Sequence, residues 1–520
     1  MDTDVLIVGA GPTGLMLANQ LVRRGVRILL IDRHSGPAQQ TRALGVQART
    51  LEIYGQLGIA TRALELGKVG TGANIWASGR HMGQVQLSGA GQNATPYPYI
   101  FILGQDDNER LMGERLREQG AAVTWTTELV GLAPAAESVT ARLKGPDGTV
   151  RGCTAAWVAG CDGAHSAVRT LSGISFPGAA YEHTFFVADV QMTGGMVPDE
   201  VNVYLWRKGF HLLFPMRGRD HWRIVGIVPE ELRAQPDLTF EAVVPSVRHE
   251  AGDLAFQGCS WFSIYRIHHR AAAHFRAGRC FVLGDAAHVH SPVGAQGMNT
   301  GLQDAYNLAW KLALVANGQA DAALLDTYEE ERLPVARRLL NTTDRAFRLV
   351  VSDSRLAGVL RTQVLARLAA FAMSRPAIQR AAFRIVSQIG INYRQGSLAQ
   401  TSAALPDAAP QAGDRFPWSH LKLRAGGAPE DLFTAMPDLS FHLIAIGQDA
   451  PTDDLGSLEQ RLQVHLIPDD PDNERELARV HIPRPSFYLL RPDGHVGLCG
   501  RQLAPGMLRD YLRLRLGARL

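Results

Sequence analysis

The stretch VLIVGAGPTG at residues 5–14 constrains this chain more than any other. An apolar run of strand type, Val5–Val8, leads directly into Gly9-Ala10-Gly11-Pro12-Thr13-Gly14. Leu15, Ala18 and Val22 then keep a helical period until Gly25. A second apolar run, 27–31, ends on Asp32, 18 residues beyond Gly14. GxGxxG alone is a weak signal, but between a strand and a helix it has a mechanism. Gly9 permits the tight turn, Gly11 lets a pyrophosphate approach the backbone, and Gly14 lets the helix pack closely. The free N–H groups at the helix start face the phosphates, and Asp32 is placed to accept from a ribose hydroxyl. The unit reads the half that NAD and FAD share, so it selects a dinucleotide without choosing between them. No second GxGxxG follows a strand.

The chain has 520 residues, which suggests about three domains. Its 46% apolar and 20% charged composition is that of a globular protein, and a net charge of +3 is too small to argue for nucleic acid or an anionic membrane. The five cysteines (153, 161, 259, 280, 499) form no CxxC and no metal-ligand spacing, a pattern expected of packing thiols in a reducing compartment. Asp2 and Asp4 stand where a signal peptide needs positive charge, and no apolar stretch reaches the ~18–20 residues that span a bilayer. A cytoplasmic, soluble protein is expected.

Two more glycine–acid motifs follow. The apolar run 155–159 leads into Gly160-Cys161-Asp162-Gly163, continuing to Arg169. Residues 280–283 lead into Gly284-Asp285, followed by a loop with few side chains through Pro292, Gly294, Gly297, Met298 and Asn299. Such a loop suits a ligand that lies against backbone. Thr300-Gly301-Leu302-Gln303 fits a capping box, which predicts a helix from Leu302 to about Asn317-Gly318.

Taken together, GxGxxG at 9–14, Asp162-Gly163 and Gly284-Asp285, in this order, resemble the single-component FAD-dependent aromatic hydroxylases, the group of phenol, hydroxyphenylpropionate and polyketide hydroxylases. RTLEIYGQLGI (49–59) and LLDTYEEERLPVA (324–336) add to the resemblance, which covers nearly the whole chain. It implies an α/β fold: a Rossmann-type FAD-binding domain (1–74, 100–175 and 270–345) with an inserted mixed-sheet substrate domain (75–99 and 176–269). A helical segment (346–404) and a thioredoxin-like C-terminal domain (405–520) would follow. It also implies that Asp285 binds the ribityl part of FAD and that the backbone from Pro292 through Gly297, Met298 and Asn299 runs beside the isoalloxazine ring. Arg42 and Gln105 match cofactor-contacting positions, and Asp162 matches a motif that touches FAD and the nicotinamide donor. Arg33 and Arg42 lean towards NADPH over NADH.

The implied reaction has two halves. NADPH or NADH reduces FAD, and the reduced flavin then takes O2 to a C4a-hydroperoxide that passes one oxygen to an electron-rich aromatic carbon. The site must hold the substrate ring close and keep water out. Deprotonating a phenol would help, yet Leu44 stands where phenol hydroxylase has an acid. His211 and the Pro292 carbonyl are weak candidates for that work. Alternating residues of the central strands (Tyr204, Trp206, Phe210, Leu212, Phe214) form a candidate pocket wall with His211, and Tyr97 is a candidate to close it. Arg266 and Arg270 suit structural ion pairs. His288 and His290 lack partners at ligand spacing, so no metal is expected.

Residues 405–417, LPDAAPQAGDRFP, have the composition of a linker. The strands expected beyond it are 441–446, 462–467 and the hairpin 486–490/496–499, with a last helix from about Pro505. With no CxxC this domain is expected to serve packing and homodimer contact, without redox work. Two other functions share the motifs: a flavin reductase of the geranylgeranyl-reductase type, and a flavoprotein that binds FAD and an aromatic ligand without turnover.

Overall fold

The computed structural model describes residues 1–39, 43–77, 79–86, 89–206, 209–233, 235, 237–290, 296–351, 375–451 and 460–518. The first apolar run forms the strand Thr3–Val8 inside an eight-stranded sheet. Ile28–Ile31 and Val150–Gly160 flank it in parallel, and the parallel order extends to Val123–Thr124 on one side and Cys280–Val282 on the other. Such strands are covered on both faces, so they read as unbroken apolar runs. The helices Pro12–Val22 and Gly297–Ala316 pack against each other, with Gly14–Leu21 and Asn299–Leu314 buried throughout.

A second eight-stranded sheet is built mainly from the residues between the Asp162 and Asp285 motifs. Gly178–Gly194, His221–Ile227, Gly209–Pro215 and Val201–Trp206 pair antiparallel in that order. Gly72–Ala77 then joins in parallel and Arg80–Gln86 closes that edge. The alternation in this block predicts strands at 184–192, 201–206, 211–215 and 222–228. All four are present: the second as expected, the first extended by six residues at its start and two at its end, and the others shifted by one or two residues. At the far side, His288–Val289 pairs with Leu254–Ala271, which ties the segment after Asp285 to this sheet. One face of the sheet packs on the helix Phe240–Ala251 and the other turns to Leu44, Ile100 and Ile102.

The C-terminal sheet has the order Gln400–Thr401, Val496–Gly500, Ser486–Leu490, Phe441–Ile446, Leu462–Ile467. Residues 405–417 do not behave as a linker: Leu405, Ala409, Ala412 and Phe416 are buried against Ile444 and Tyr488. The spaced apolar residues of that Ala/Pro-rich run fill the core although they follow no helix or strand period. In the stretch 346–404 the helices Asp326–Val351 and Pro376–Val386 are present, 352–374 lie outside the described residues, and 387–399 carry no helix. The capping-box expectation also fails. The helix starts at Gly297, the Thr300 hydroxyl donates to the Gln296 carbonyl (2.9 Å), and the Gln303 amide donates to Gln388 (2.6 Å). Gln388 donates in turn to Thr300 (2.9 Å), so a distant residue takes both side chains. No described helix is long and apolar enough to cross a membrane.

Candidate active site

At the glycine loop the protein itself demands two of the three glycines. Gly9 has φ +101°, and a Cβ there would stand 2.6 Å from the Cys161 carbonyl carbon. A Cβ on Gly14 would overlap the Gly9 carbonyl oxygen. Gly11 differs: among the described residues no heavy atom lies within 4 Å of where its Cβ would be. No described residue therefore demands glycine at this position, which suits a group that lies against the backbone, and a pyrophosphate at the start of the Pro12–Val22 helix fits.

Asp32 shapes this turn. Its Oδ2 accepts the Ala10 N–H (2.7 Å), and Oδ1 accepts the His34 N–H and contacts His34 Nδ1 (both 2.8 Å). A carboxylate has about four acceptor positions, so a ribose hydroxyl can still be taken. Arg33 is exposed beside it. Gln105 opens the helix Gln105–Glu118 and donates to Glu109 Oε1 (2.8 Å), while Glu109 Oε2 accepts the Ala38 N–H (2.8 Å). Burial raises the Glu109 carboxyl pKa, against the pull of these hydrogen bonds. Glu109 therefore anchors the chain beyond Asp32, a role sequence reasoning missed; the four-residue spacing from Gln105 was its only signal. Arg42 and Pro292 lie outside the described residues.

Asp162 turns back on its own loop. Its carboxylate accepts from the Ser166 hydroxyl (2.5 Å) and from the Ala167 and Val168 N–H groups (2.7 and 3.1 Å). Arg169, also unassigned from sequence, donates to the Ala286 and Ala164 carbonyls (2.8 Å each). It thereby fastens this loop to the Gly284-Asp285 segment.

The first and third motifs meet at Thr13. Its hydroxyl oxygen lies 2.6 Å from where a Cβ on Gly284 would stand, and Gly301 is held equally close (2.5 Å). Asp285 is exposed between buried Gly284 and Ala286, so its side chain leaves the core there. The Gly297–Ala316 helix passes beside this segment, with a Cβ on Gly301 standing 3.0 Å from Gly284 Cα, and the region between the helix start and Asp285 is the candidate cleft. The first turn of a helix offers N–H groups without intrahelical acceptors. The Asn299 side chain works internally: its amide donates to the Gly45 carbonyl (2.8 Å), and its oxygen accepts from the Gln47 N–H (2.8 Å) and the Thr50 hydroxyl (2.7 Å). Met298 Sδ accepts from Asn108 (3.4 Å). Gly284, Gly297 and exposed Asp285 thus offer backbone and one carboxylate, an arrangement that would suit a flat ring system with a polyhydroxyl chain. Asp285→Ala is expected to purify with little or no FAD; a fully yellow protein would contradict that role for Asp285.

The proposed pocket wall divides between the two faces of the second sheet. Phe214 packs with Val203, Ile102 and Leu44, and Leu212 with Phe185, Phe210 and Tyr265, all on the side away from the Phe240–Ala251 helix. Tyr204 and His211 occupy the opposite face, because side chains alternate along a strand. Tyr204 stacks on Trp76 (5.4 Å between centroids) in the core under the Phe240–Ala251 helix. His211 is fully buried against Phe186, and neither ring nitrogen has a hydrogen-bond partner among the described residues. Burial pushes its pKa down to about 3, so the ring stays neutral. Trp206, at its strand end, touches both His211 (4.0 Å) and the Phe185/Phe210 cluster. Tyr97 lies apart, against the Ala48–Leu57 helix and Phe383. On the cleft-facing side Arg223 forms a buried bidentate pair with Asp189 (2.6 and 2.5 Å), which sequence reasoning did not single out.

Comparison with known proteins agrees with this geometry. Residues 2–343 match the family model described as FAD binding domain. The 6-methylpretetramide 4-monooxygenase of Streptomyces rimosus is 34% identical over 517 residues, covering 96% of this chain and 91% of that protein. Pentachlorophenol 4-monooxygenase of Sphingobium chlorophenolicum is 32% identical over 81% of this chain and 77% of its own length. The anhydrotetracycline hydroxylase structure from Streptomyces rimosus superimposes with a TM-score of 0.80 at 29% identity, covering 100% of both chains. These relatives transfer oxygen, which sets aside the reductase and ligand-carrier readings. The chain belongs to the FAD binding domain family and is an FAD-dependent aromatic monooxygenase.

Proposed function

We propose that the enzyme hydroxylates a polycyclic, polyketide-like phenolic, with NADPH or NADH as electron donor and O2 as oxidant. The observation that carries this is Leu44. It is buried with Phe214, Val203 and Ile102 on the cleft-facing side of the second sheet, at the position where an acid would serve a simple phenol. An apolar wall there rewards extended ring area and does not help a poorly acidic monocyclic phenol to ionise. Extended polycyclic phenols and enols are more acidic and depend less on a protein base. The relatives support the same class: the two named for 6-methylpretetramide and anhydrotetracycline align over 96% and 100% of this chain, the pentachlorophenol enzyme over 81%.

Bound FAD supplies the redox chemistry, accepting reducing equivalents and activating oxygen. The protein's share is positioning. The first turn of the Gly297–Ala316 helix would favour negative charge on a ring held beside it, and the face holding Leu212, Phe214 and Leu44 would help to exclude water. The strand order of the C-terminal sheet supports a thioredoxin-like unit, and Cys499, its only cysteine, is buried, which suits packing. Five free cysteines are what a reducing, cytoplasmic setting permits.

The test is a titration of the holoenzyme with phenols of one to four fused rings, following the flavin absorption bands. Tricyclic and tetracyclic phenolics are expected to bind at least about tenfold tighter than phenol or hydroxyphenylpropionate. Tighter binding of the monocyclic compounds would overturn the substrate class.

A further inference from the structure

We propose that Tyr393, beyond the segment that matches the family model, is a positioning residue for the flavin. It acts through Arg332 and Asp304 on the Gly284 segment. The inference rests on reading Gly284–Asp285 and Gly297–Asn299 as flavin-lining.

Asp304 is fully buried in the Gly297–Ala316 helix. Its Oδ2 accepts the Gly284 N–H (3.1 Å) and contacts His288 Nε2 (2.7 Å), so one carboxylate grips the segment on both sides of Asp285. Its Oδ1 accepts from Arg332 Nε (2.7 Å). Arg332 is also fully buried and directs its other nitrogens to the Thr300 carbonyl (3.1 Å) and the Tyr393 hydroxyl (3.0 Å). One guanidinium therefore fixes the Gly284 loop, through Asp304, and the helix start, through Thr300. These are the two sides of the cleft. The planar fork cannot rotate without breaking several buried charge-assisted bonds.

Tyr393 is clamped in turn by the C-terminal unit. Its ring centroid lies 4.4 Å from that of His495, and the Arg491 guanidinium lies 5.4 Å from it. Its N–H donates to the Gly413 carbonyl (2.8 Å), and a Cβ on Gly413 would stand 2.5 Å from the Tyr393 carbonyl carbon. At the other end there is little slack. Gly284 has φ +57° and Thr13 is already in contact where its Cβ would be, so a shift of Asp304 passes to the loop backbone. Loss of the Tyr393 hydroxyl would leave Arg332 with an unsatisfied buried donor and a softer hold on Asp304.

The experiment compares Tyr393→Phe with Tyr511→Phe. Tyr511 is an equally buried tyrosine of the C-terminal unit, whose hydroxyl donates to the Leu398 carbonyl (2.8 Å) outside the relay. FAD dissociation constants are measured by titrating each apo-protein and following flavin fluorescence, with apo melting temperatures alongside. Tyr393→Phe is expected to raise the FAD dissociation constant about tenfold, as loss of one buried hydrogen-bond partner would, and to shift the flavin absorption bands. Tyr511→Phe should lower thermal stability comparably with FAD affinity kept within about twofold. Arg332→Lys, which keeps a charge beside Asp304 but loses the fork, should weaken FAD in the same direction. An unchanged FAD affinity in Tyr393→Phe or Arg332→Lys, or an equal loss in Tyr511→Phe, overturns the relay. Asp285→Ala separates the two failures: if it keeps FAD, the reading of the segment is wrong, and if it loses FAD while Tyr393→Phe does not, only this inference falls.

Discussion

Gly11→Val is expected to purify colourless while its apo-protein melts within about 2 °C of wild-type apo-protein. A Cβ at Gly11 meets no heavy atom of the described residues within 4 Å, so a small side chain should cost the fold little. The pyrophosphate does, because its approach to the backbone is what the position serves. Gly14→Val should behave differently. Its Cβ would overlap the Gly9 carbonyl oxygen and lie 3.3 Å from Cys161 Cβ. The clash is with backbone, which relaxes poorly, so it should cost about 1–3 kcal/mol or more of apo stability in addition to the cofactor. Flavin-to-protein absorbance ratios and apo melting curves on the two variants check the contrast. A yellow Gly11→Val protein would contradict this geometry of the loop.

A second large effect is expected at Glu331. Its carboxylate accepts from Arg491 (2.5 and 3.0 Å), Lys311 (2.7 Å) and Asn307 (2.7 Å), all buried, where the Asp326–Val351 helix meets the turn of the C-terminal hairpin. Arg491 also pairs with Asp493. Glu331→Gln keeps the shape and removes the charge, leaving two buried cations short of a counter-ion. Breaking such a pair costs about 3–5 kcal/mol, so a marked drop in melting temperature is expected. The pH dependence has a definite sign. Burial works against ionisation of Glu331, but Arg491 and Lys311 outweigh it and hold the carboxyl at about 2, below its usual 4.5. A folded-state pKa that is depressed gives stability fully present above the unfolded value and lost as pH falls through the folded one. Wild-type stability should therefore decline between about pH 4.5 and 2, and Glu331→Gln should show a shallower decline over that window. Equal slopes in denaturant melts would contradict the assignment.

The glycine loop, the parallel strands and the four central strands were legible because each depends on local chemistry: glycine where a Cβ cannot fit, and apolar runs of the right length. The two-sided nature of the Tyr204–Phe214 region was partly legible. Its alternation separates Tyr204 and His211 from Leu212 and Phe214, but the face that meets the cleft is decided by where the Phe240–Ala251 helix packs. That is a tertiary choice. The buried charges were illegible for a related reason. Arg491 sits in a turn, Arg-Pro-Asp-Gly, that reads as solvent-exposed, and its partner Glu331 is 160 residues away. Capping at Thr300 was misjudged because Gln388, also distant, takes the side chains that a local box would use.

Coupling of a nicotinamide donor and O2 to hydroxylation of a polycyclic phenolic, as proposed above, is open to direct assay. The most direct measurement is NADPH and NADH oxidation in air by the holoenzyme across a panel of such compounds, with hydrogen peroxide and product mass followed together. At least one polycyclic phenolic is expected to accelerate oxidation, with little peroxide and a product heavier by one oxygen. Donor oxidation that no aromatic compound stimulates, or that ends wholly in peroxide for every compound bound, would contradict it.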